Sequence, residues 1–119
     1  MKWLMILCMI SLLEINLVGC SKNELDITLK LSNPQNKAVS YRGYYMNMEK
    51  GDSVVISGAT PYEYKFNVRS GGLVKGAIYK ESKDVIDTLL FQLFIEDDKR
   101  LEQSTVNPNT PIIFSIDCF

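Results

Sequence analysis

Few residues in this chain are equipped for catalysis, and histidine is missing from all 119 positions. Without an imidazole, Ser-His-Asp and Cys-His catalysis and histidine-bearing zinc sites are excluded. Asp84 and Asp87 form a carboxylate pair of the kind that hydrolyses glycosides, and Glu96, Asp97 and Asp98 offer clustered oxygens for calcium. A glycoside hydrolase also needs a cleft, which a small domain rarely provides. The acidic residues 96–98 lack the spacing of a calcium-binding EF-hand loop. We therefore predict no catalytic residue, no metal and no cofactor.

Tyrosines and methionines cluster between residues 41 and 48. On a strand, one face carries Tyr44, Met46 and Met48. The other face carries Tyr41, Tyr45 and Asn47. One of these faces must join the core. We predict that Tyr41, Tyr45 and Asn47 form a contact surface for a protein or a sugar. The alternative is that this second set packs against a neighbouring strand.

Residues 69–72 (Arg-Ser-Gly-Gly) have the composition of a phosphate-binding loop. Such loops aim the amides of a helix N-terminus at the anion, whereas a strand is predicted to follow here. We predict a hairpin turn in which a glycine adopts positive φ and the flanking strands pair.

Near the start of the sequence, Lys2 supplies a positive charge, and an apolar run follows it, Trp3–Leu13, interrupted only by Ser11. Spanning a bilayer takes about 20 apolar residues, so the run is too short for a transmembrane helix. Its length is typical of the apolar region of a signal peptide. The next notable segment is Leu17-Val18-Gly19-Cys20.

This segment resembles the lipobox of bacterial lipoprotein signal peptides. The resemblance implies that a signal peptidase cleaves after Leu17, Val18 and Gly19, and that the Cys20 thiol carries a diacylglycerol. Acyl chains such as palmitate would then hold the protein on a membrane. Glu14 departs from the apolar pattern of these signals and predicts slower processing. The other interpretation is an ordinary secretory signal with an incidental cysteine.

These features divide the chain into a removed signal peptide (1–19), a lipidated cysteine with a short tether (20–24) and one domain (25–119). Ser21 differs from the aspartate that marks inner-membrane retention in enteric bacteria. In a Gram-negative cell, this favours the outer membrane. After cleavage, Cys118 has no partner for a disulfide within the domain. Its phase with Phe114 and Ile116 predicts a buried thiol; a reactive thiol is the alternative.

Composition sets the broad class of the protein. Apolar residues make up 46% of the chain, which is enough for a core. The net charge of -1 and the 23% of charged residues exclude a basic nucleic-acid surface. About 100 residues remain after cleavage, and these suffice for one small domain.

Apolar residues mostly alternate after residue 24, and turn residues recur every 8–12 positions. This spacing predicts an all-β domain, an Ig-like or transthyretin-like antiparallel sandwich of seven or eight strands. Gly76 predicts a bulge or the close approach of another backbone. Residues 85–96 fit a strand buried on both faces, with a helix as the rival. The predicted strands cover residues 25–31, 41–48, 53–57, 62–69, 73–79, 85–96, 100–105 and 112–118.

Residues 59–118 also contain Thr60-Pro61-Tyr62, then Gly71-Gly72, then an apolar strand ending in Glu96-Asp97-Asp98-Lys99, then Ser104-Thr105. This order resembles the MmpS-like group, small membrane-anchored β-sandwich proteins that accompany envelope transporters in mycobacteria. The resemblance implies a sandwich fold and an accessory role. The cysteine pair found in many members is absent here.

Together these features predict a non-enzymatic lipoprotein of the bacterial cell envelope. We expect it to bind or assist a protein partner, such as a transport or assembly complex, at the membrane surface. A glycan ligand is a second option. The alternative function is a lipid-anchored inhibitor of a secreted hydrolase such as lysozyme, with residues 41–48 or a hairpin tip plugging the enzyme's cleft.

Overall fold

The computed structural model describes residues 24–119, and every regular element in that range is a β-strand. The predicted signal peptide, lipobox and Cys20 lie outside the described residues. The part of the chain described contains no helix long and apolar enough to cross a membrane. Its strands are β1 (Glu24–Ser32), β2 (Ser40–Asn47), β3 (Asp52–Ala59), β4 (Tyr62–Arg69), β5 (Leu73–Lys80), β6 (Leu89–Ile95), β7 (Asp98–Thr105) and β8 (Ile112–Asp117).

The strands form two antiparallel four-stranded sheets packed as a sandwich, which confirms the predicted fold. Sheet A has the order β4-β1-β6-β7, and sheet B has the order β3-β2-β5-β8. Only β2–β3 and β6–β7 are sequence neighbours that pair with each other. Every other connection carries the chain from one sheet to the other.

The core lies between the two sheets and follows the period-two pattern of the sequence. On β1, Ile27, Leu29 and Leu31 are fully buried, while the residues between them are partly exposed. Aromatic rings join the sheets: Phe91 of sheet A stacks on Phe114 of sheet B, with ring centroids 4.6 Å apart. Such alternation arises because successive side chains of a strand point to opposite faces.

The apolar segment 85–96 forms a strand only from Leu89 onward. Phe91 and its inward neighbours are buried, whereas Phe94 on the other face is only half-buried. The prediction that both faces of this strand are buried is therefore wrong, because only the inward face is fully buried. The hairpin to β7 turns through Glu96 and Asp97, both with positive φ, as a two-residue turn matching strand twist requires.

The turn at residues 69–72 is real, but the predicted hairpin is wrong. Gly71 adopts a φ of 91°, as expected for glycine. However, β4 pairs with β1 in sheet A, and β5 pairs with β2 and β8 in sheet B. The turn therefore connects the two sheets and does not pair its flanking strands.

Two local predictions on the inner face of sheet B are confirmed. A Cβ at Gly76 would lie 2.3 Å from the backbone oxygen of Tyr44 and 2.8 Å from the Phe114 ring, so another backbone does approach closely. Cys118 is buried. Burial, and then the charge of Asp117, raise the pKa of the Cys118 thiol, which disfavours the reactive thiolate.

Candidate functional site

The predicted contact surface on β2 is wrong, because its residues belong to the core. Tyr41, Tyr45 and Asn47 are all buried, with at most 9% of each residue exposed. Sheet A covers this face, so it cannot meet a partner. The interpretation that these residues pack against neighbouring strands is the one that holds.

These buried side chains bridge the two sheets. The hydroxyls of Tyr41 and Tyr64 form a hydrogen bond of 2.8 Å, and Tyr45 stacks on Phe66 with centroids 4.4 Å apart. Burial, and then the Tyr64 hydroxyl, raise the pKa of Tyr41 well above its usual range. Asn47 closes the next turn by accepting the Glu49 amide at 3.1 Å.

The opposite face of sheet B is exposed and carries an apolar row across all four strands. Val55, Tyr44, Ala77 and Ile113 are consecutive partners in the register of β3, β2, β5 and β8. Val55 is 82% exposed, Ile113 68% and Tyr44 39%, while Ala77 lies buried between its neighbours. We call these four residues the outer row.

Two further rows flank the outer row. On one side, Arg42 pairs with Ser57 and Tyr79, and its guanidinium lies 5.4 Å from the Tyr79 ring centroid. On the other side, Met46 and Lys75 are register partners. A shallow groove of about 300 Å³ runs between Arg42, Tyr44, Val55 and Tyr79.

The two ends of the sandwich are defined by the direction of β1. β1 enters at Glu24 opposite Arg69, and it leaves at Ser32 opposite Leu90. Nine residues of strand span about 30 Å. We call the end at Glu24 the proximal end and the other the distal end. The distal end carries the β5–β6 connection, residues 81–88, which we call the distal loop.

A buried lysine fastens the distal loop. Lys80 follows the inward phase of β5, and its side chain is fully buried. Its ammonium donates to the Asp84 carbonyl, to Asp84 Oδ1 at 3.0 Å and to the Val106 carbonyl at 3.0 Å. Three acceptors satisfy the three ammonium hydrogens. Lys80 thereby joins the distal loop to the β7–β8 connection.

Asp84 organises the same loop from within. Its carboxylate accepts the amides of Asp87 at 3.0 Å and Ile86 at 3.1 Å, as well as the Ser82 hydroxyl and the Lys80 ammonium. The Asp87 amide, followed by Ser82 and Lys80, holds the pKa of the Asp84 carboxyl well below its usual range. The loop backbone is thus fixed by side-chain hydrogen bonds.

The fixed loop displays two apolar side chains to solvent. Val85 is 67% exposed and Ile86 is 79% exposed. Beside them, Lys37 pairs with Asp87 at 3.2 Å. The loop therefore presents two neighbouring aliphatic side chains on a hydrogen-bonded backbone.

The candidate carboxylate sites serve structural roles in this arrangement. Asp84 accepts backbone amides of the distal loop, and Asp87 forms an ion pair with Lys37. Glu96 and Asp97 form the β6–β7 turn, and Asp98 pairs with Arg100 at 2.8 Å. Among residues 24–119, no group of three or more acidic or cysteine side chains is placed to hold a metal ion.

No protein-family model matches the chain, and no curated protein matches it in sequence. The geometry of the domain and the motifs of the sequence are therefore the guides to its function.

Sequence reasoning missed both exposed surfaces. The signal for the buried lysine was present, because Lys80 is in phase with Val74, Gly76 and Ile78. The exposure of Val85 and Ile86 had no such signal, since an apolar pair beside an apolar strand is predicted to continue that strand.

Proposed function

We propose that this chain is a non-enzymatic binding module of the bacterial cell envelope, anchored through a lipid on Cys20. In this proposal its distal loop engages a protein partner. The lipobox motif supports the anchor, and the resemblance to the MmpS-like group supports a partner in an envelope transport or assembly complex.

The observation that carries the proposal is the exposure of Val85 and Ile86 on a loop that is fixed by the hydrogen bonds of Lys80 and Asp84. Ordering a loop costs conformational entropy, so a fixed loop has lost that freedom before a partner arrives. Two exposed aliphatic side chains fit an apolar cleft. They offer a sugar no hydrogen bond, which favours a protein partner over a glycan.

The position of the loop also favours a contact that is made away from the surface of the anchoring membrane. Residues 20–23 can extend by at most about 14 Å between Cys20 and β1. The distal loop lies at the other end of β1, about 30 Å further along the sandwich. A lipid on Cys20 would hold the proximal end near the bilayer and leave the loop facing outward.

The second candidate function is a lipid-anchored inhibitor of a secreted hydrolase. The same fixed apolar loop favours it, because such a loop can plug an active-site cleft. The segment 41–48 cannot be the plug, since β2 is an inner strand of sheet B with β3 and β5 on either side.

The test is in-cell photo-cross-linking of the full chain with a photoreactive residue at Ile86. The matched control places the same residue at exposed Ser104 on the outer side of sheet A. An integral membrane complex joined at Ile86 and not at Ser104 would support the accessory role. A soluble hydrolase joined in the same way would support inhibition, and equal labelling at both positions would refute the docking loop.

The anchor has a separate test. Cys20→Ala should leave unprocessed precursor, seen as a larger band on a gel, and should abolish labelling by a palmitate analogue. If Cys20→Ala were processed and attached to the membrane like the unsubstituted chain, the lipid anchor would be refuted. The proposed role of the distal loop does not depend on that result.

A further inference from the structure

We infer that the outer side of sheet B is the interface with a second copy of this chain. The surface consists of the outer row and its two flanking rows. It is separate from the distal loop and does not depend on a lipid anchor. The inference therefore goes beyond the proposed function.

The outer sides of the two sheets differ in chemistry. On sheet A, one row runs Glu63, Lys30, Gln92, Glu102, so it mixes both signs of charge. On sheet B, the outer row is apolar, and the two flanking rows contribute one cation each, Arg42 and Lys75, and no carboxylate. Charged residues are depleted at the centres of protein interfaces, which fits sheet B and not sheet A.

A two-fold axis parallel to the strands, passing between β2 and β5, makes this surface complementary to itself. The axis places β3 over β8 of the second copy and β2 over β5 of the second copy. Val55 then faces Ile113, and the large Tyr44 faces the small Ala77. Matching a large side chain with a small one is how facing sheets interdigitate.

The charges are compatible with the same axis. Arg42 of one copy faces Tyr79 of the other, which extends the cation–π contact already present within each copy. Lys75 faces Met46, whose thioether chain can pack along the lysine stem. The axis places no cation directly opposite a cation.

A two-fold axis perpendicular to the strands is less favourable. It would place Tyr44 opposite Tyr44 and Ala77 opposite Ala77. The two tyrosine rings would then compete for the same space, and the two alanines would leave a gap between the sheets. Size complementarity therefore selects the strand-parallel axis.

The surface is small. Four strands at about 4.8 Å spacing and five residues at about 3.3 Å give a patch of roughly 19 by 16 Å. Stable interfaces bury about 800 Å² per partner. We therefore expect a weak dimer, which cross-linking detects better than chromatography.

The test uses the full chain, expressed in bacteria, with Val55→Cys and Ile113→Cys combined, and a short bis-maleimide. Within one copy these positions are three strand spacings apart, about 14 Å, so a shorter linker joins them only between copies. We expect a covalent dimer from the double variant and little from either single variant. Adding Ala77→Arg to the double variant should remove most of the dimer, because a large charged side chain then meets Tyr44.

The matched control is Glu63→Cys with Glu102→Cys, which occupy the two edge strands of sheet A. The unsubstituted chain reports any cross-link through its own cysteines. Absence of dimer in the Val55–Ile113 variant, or equal dimer in the sheet A control, would overturn the inference. Dimer from Val55→Cys alone would also overturn it, because that result requires the perpendicular axis.

Discussion

The two faces of sheet B use similar residues for different purposes. On the inner face, Tyr41 and Tyr45 are buried, and each contacts an aromatic ring of sheet A. On the outer face of the same strand, Tyr44 is 39% exposed beside the highly exposed Val55. The residue types alone do not distinguish these faces.

What separates the faces is how closely each is packed, both within sheet B and against sheet A. The inner face contains Gly43 and Gly76 at positions where a Cβ would lie within 2.5 Å of a backbone oxygen. It also supplies a hydroxyl, on Tyr41, that meets a partner hydroxyl on Tyr64. The outer face has neither constraint. Substitutions should therefore cost stability on one face and association on the other.

The largest effect is expected for Gly76→Val on the inner face. The new side chain would overlap the Tyr44 carbonyl and the Phe114 ring, so neighbouring strands must separate. We expect a loss of about 3 kcal/mol or more in the free energy of unfolding, measured by urea denaturation. Lys75→Val, one residue away on the outer face, is the control and should change stability little. Equal effects would show that the faces do not differ.

Tyr45→Ala should destabilise the domain by an amount comparable to that of Gly76→Val. Removing a buried ring that stacks on Phe66 leaves a cavity between the sheets. A large-to-small core substitution of this kind costs about 3–5 kcal/mol. The same substitution at Tyr44 is the matched comparison. A smaller cost at Tyr45 than at Tyr44 would contradict the assignment of the two faces.

Tyr41→Phe should cost about 1 kcal/mol, the net contribution of one hydrogen bond. It should also change the response to alkali. The pKa of Tyr41 is raised on folding, so above pH ~10 the unfolded chain loses a proton that the folded protein keeps. Stability then falls as pH rises, by up to about 1.4 kcal/mol per pH unit for each such group. Denaturation between pH 8 and 11 should show a shallower fall for Tyr41→Phe. If the fall of stability with pH were the same in both proteins, the Tyr41 hydroxyl would not be its cause.

Tyr44→Ala should have the smallest effect on stability, within about 0.5 kcal/mol, as for most exposed positions. Its effect should appear in association, because it removes the largest side chain of the outer row. In the Val55→Cys, Ile113→Cys background, we expect a clear loss of covalent dimer with an unchanged urea midpoint. A lowered midpoint with unchanged dimer would reverse the roles assigned to the two faces.

Much of the fold was readable from local patterns. The alternation of Ile27, Leu29 and Leu31 predicted both the strand and its buried face, because a period of two fixes which side chains lie together. The turn at Gly71 was also readable, since glycine accepts positive φ. Its role in connecting the sheets was not, because strand pairing is decided by contacts distant in sequence.

The candidate site was less predictable. For β2 the sequence offered two faces rich in tyrosine and methionine, and the prediction chose the one that is buried. Only the positions of Tyr64 and Phe66, brought over β2 from sheet A, decide that Tyr41 and Tyr45 point inward. The fixed distal loop was hidden for the same reason, since the Val106 carbonyl that holds Lys80 lies 26 residues away.

By itself, the sequence determined that the domain is all-β, that Cys118 lies in phase with apolar residues, and that histidine chemistry is absent. These follow from composition and from a two-residue period, which are local properties. The tertiary structure decided which face of β2 is core, which sheet each strand joins and which apolar residues stay exposed. Those outcomes depend on how two sheets pack against each other, because burial is a property of the assembled layers and not of any single strand.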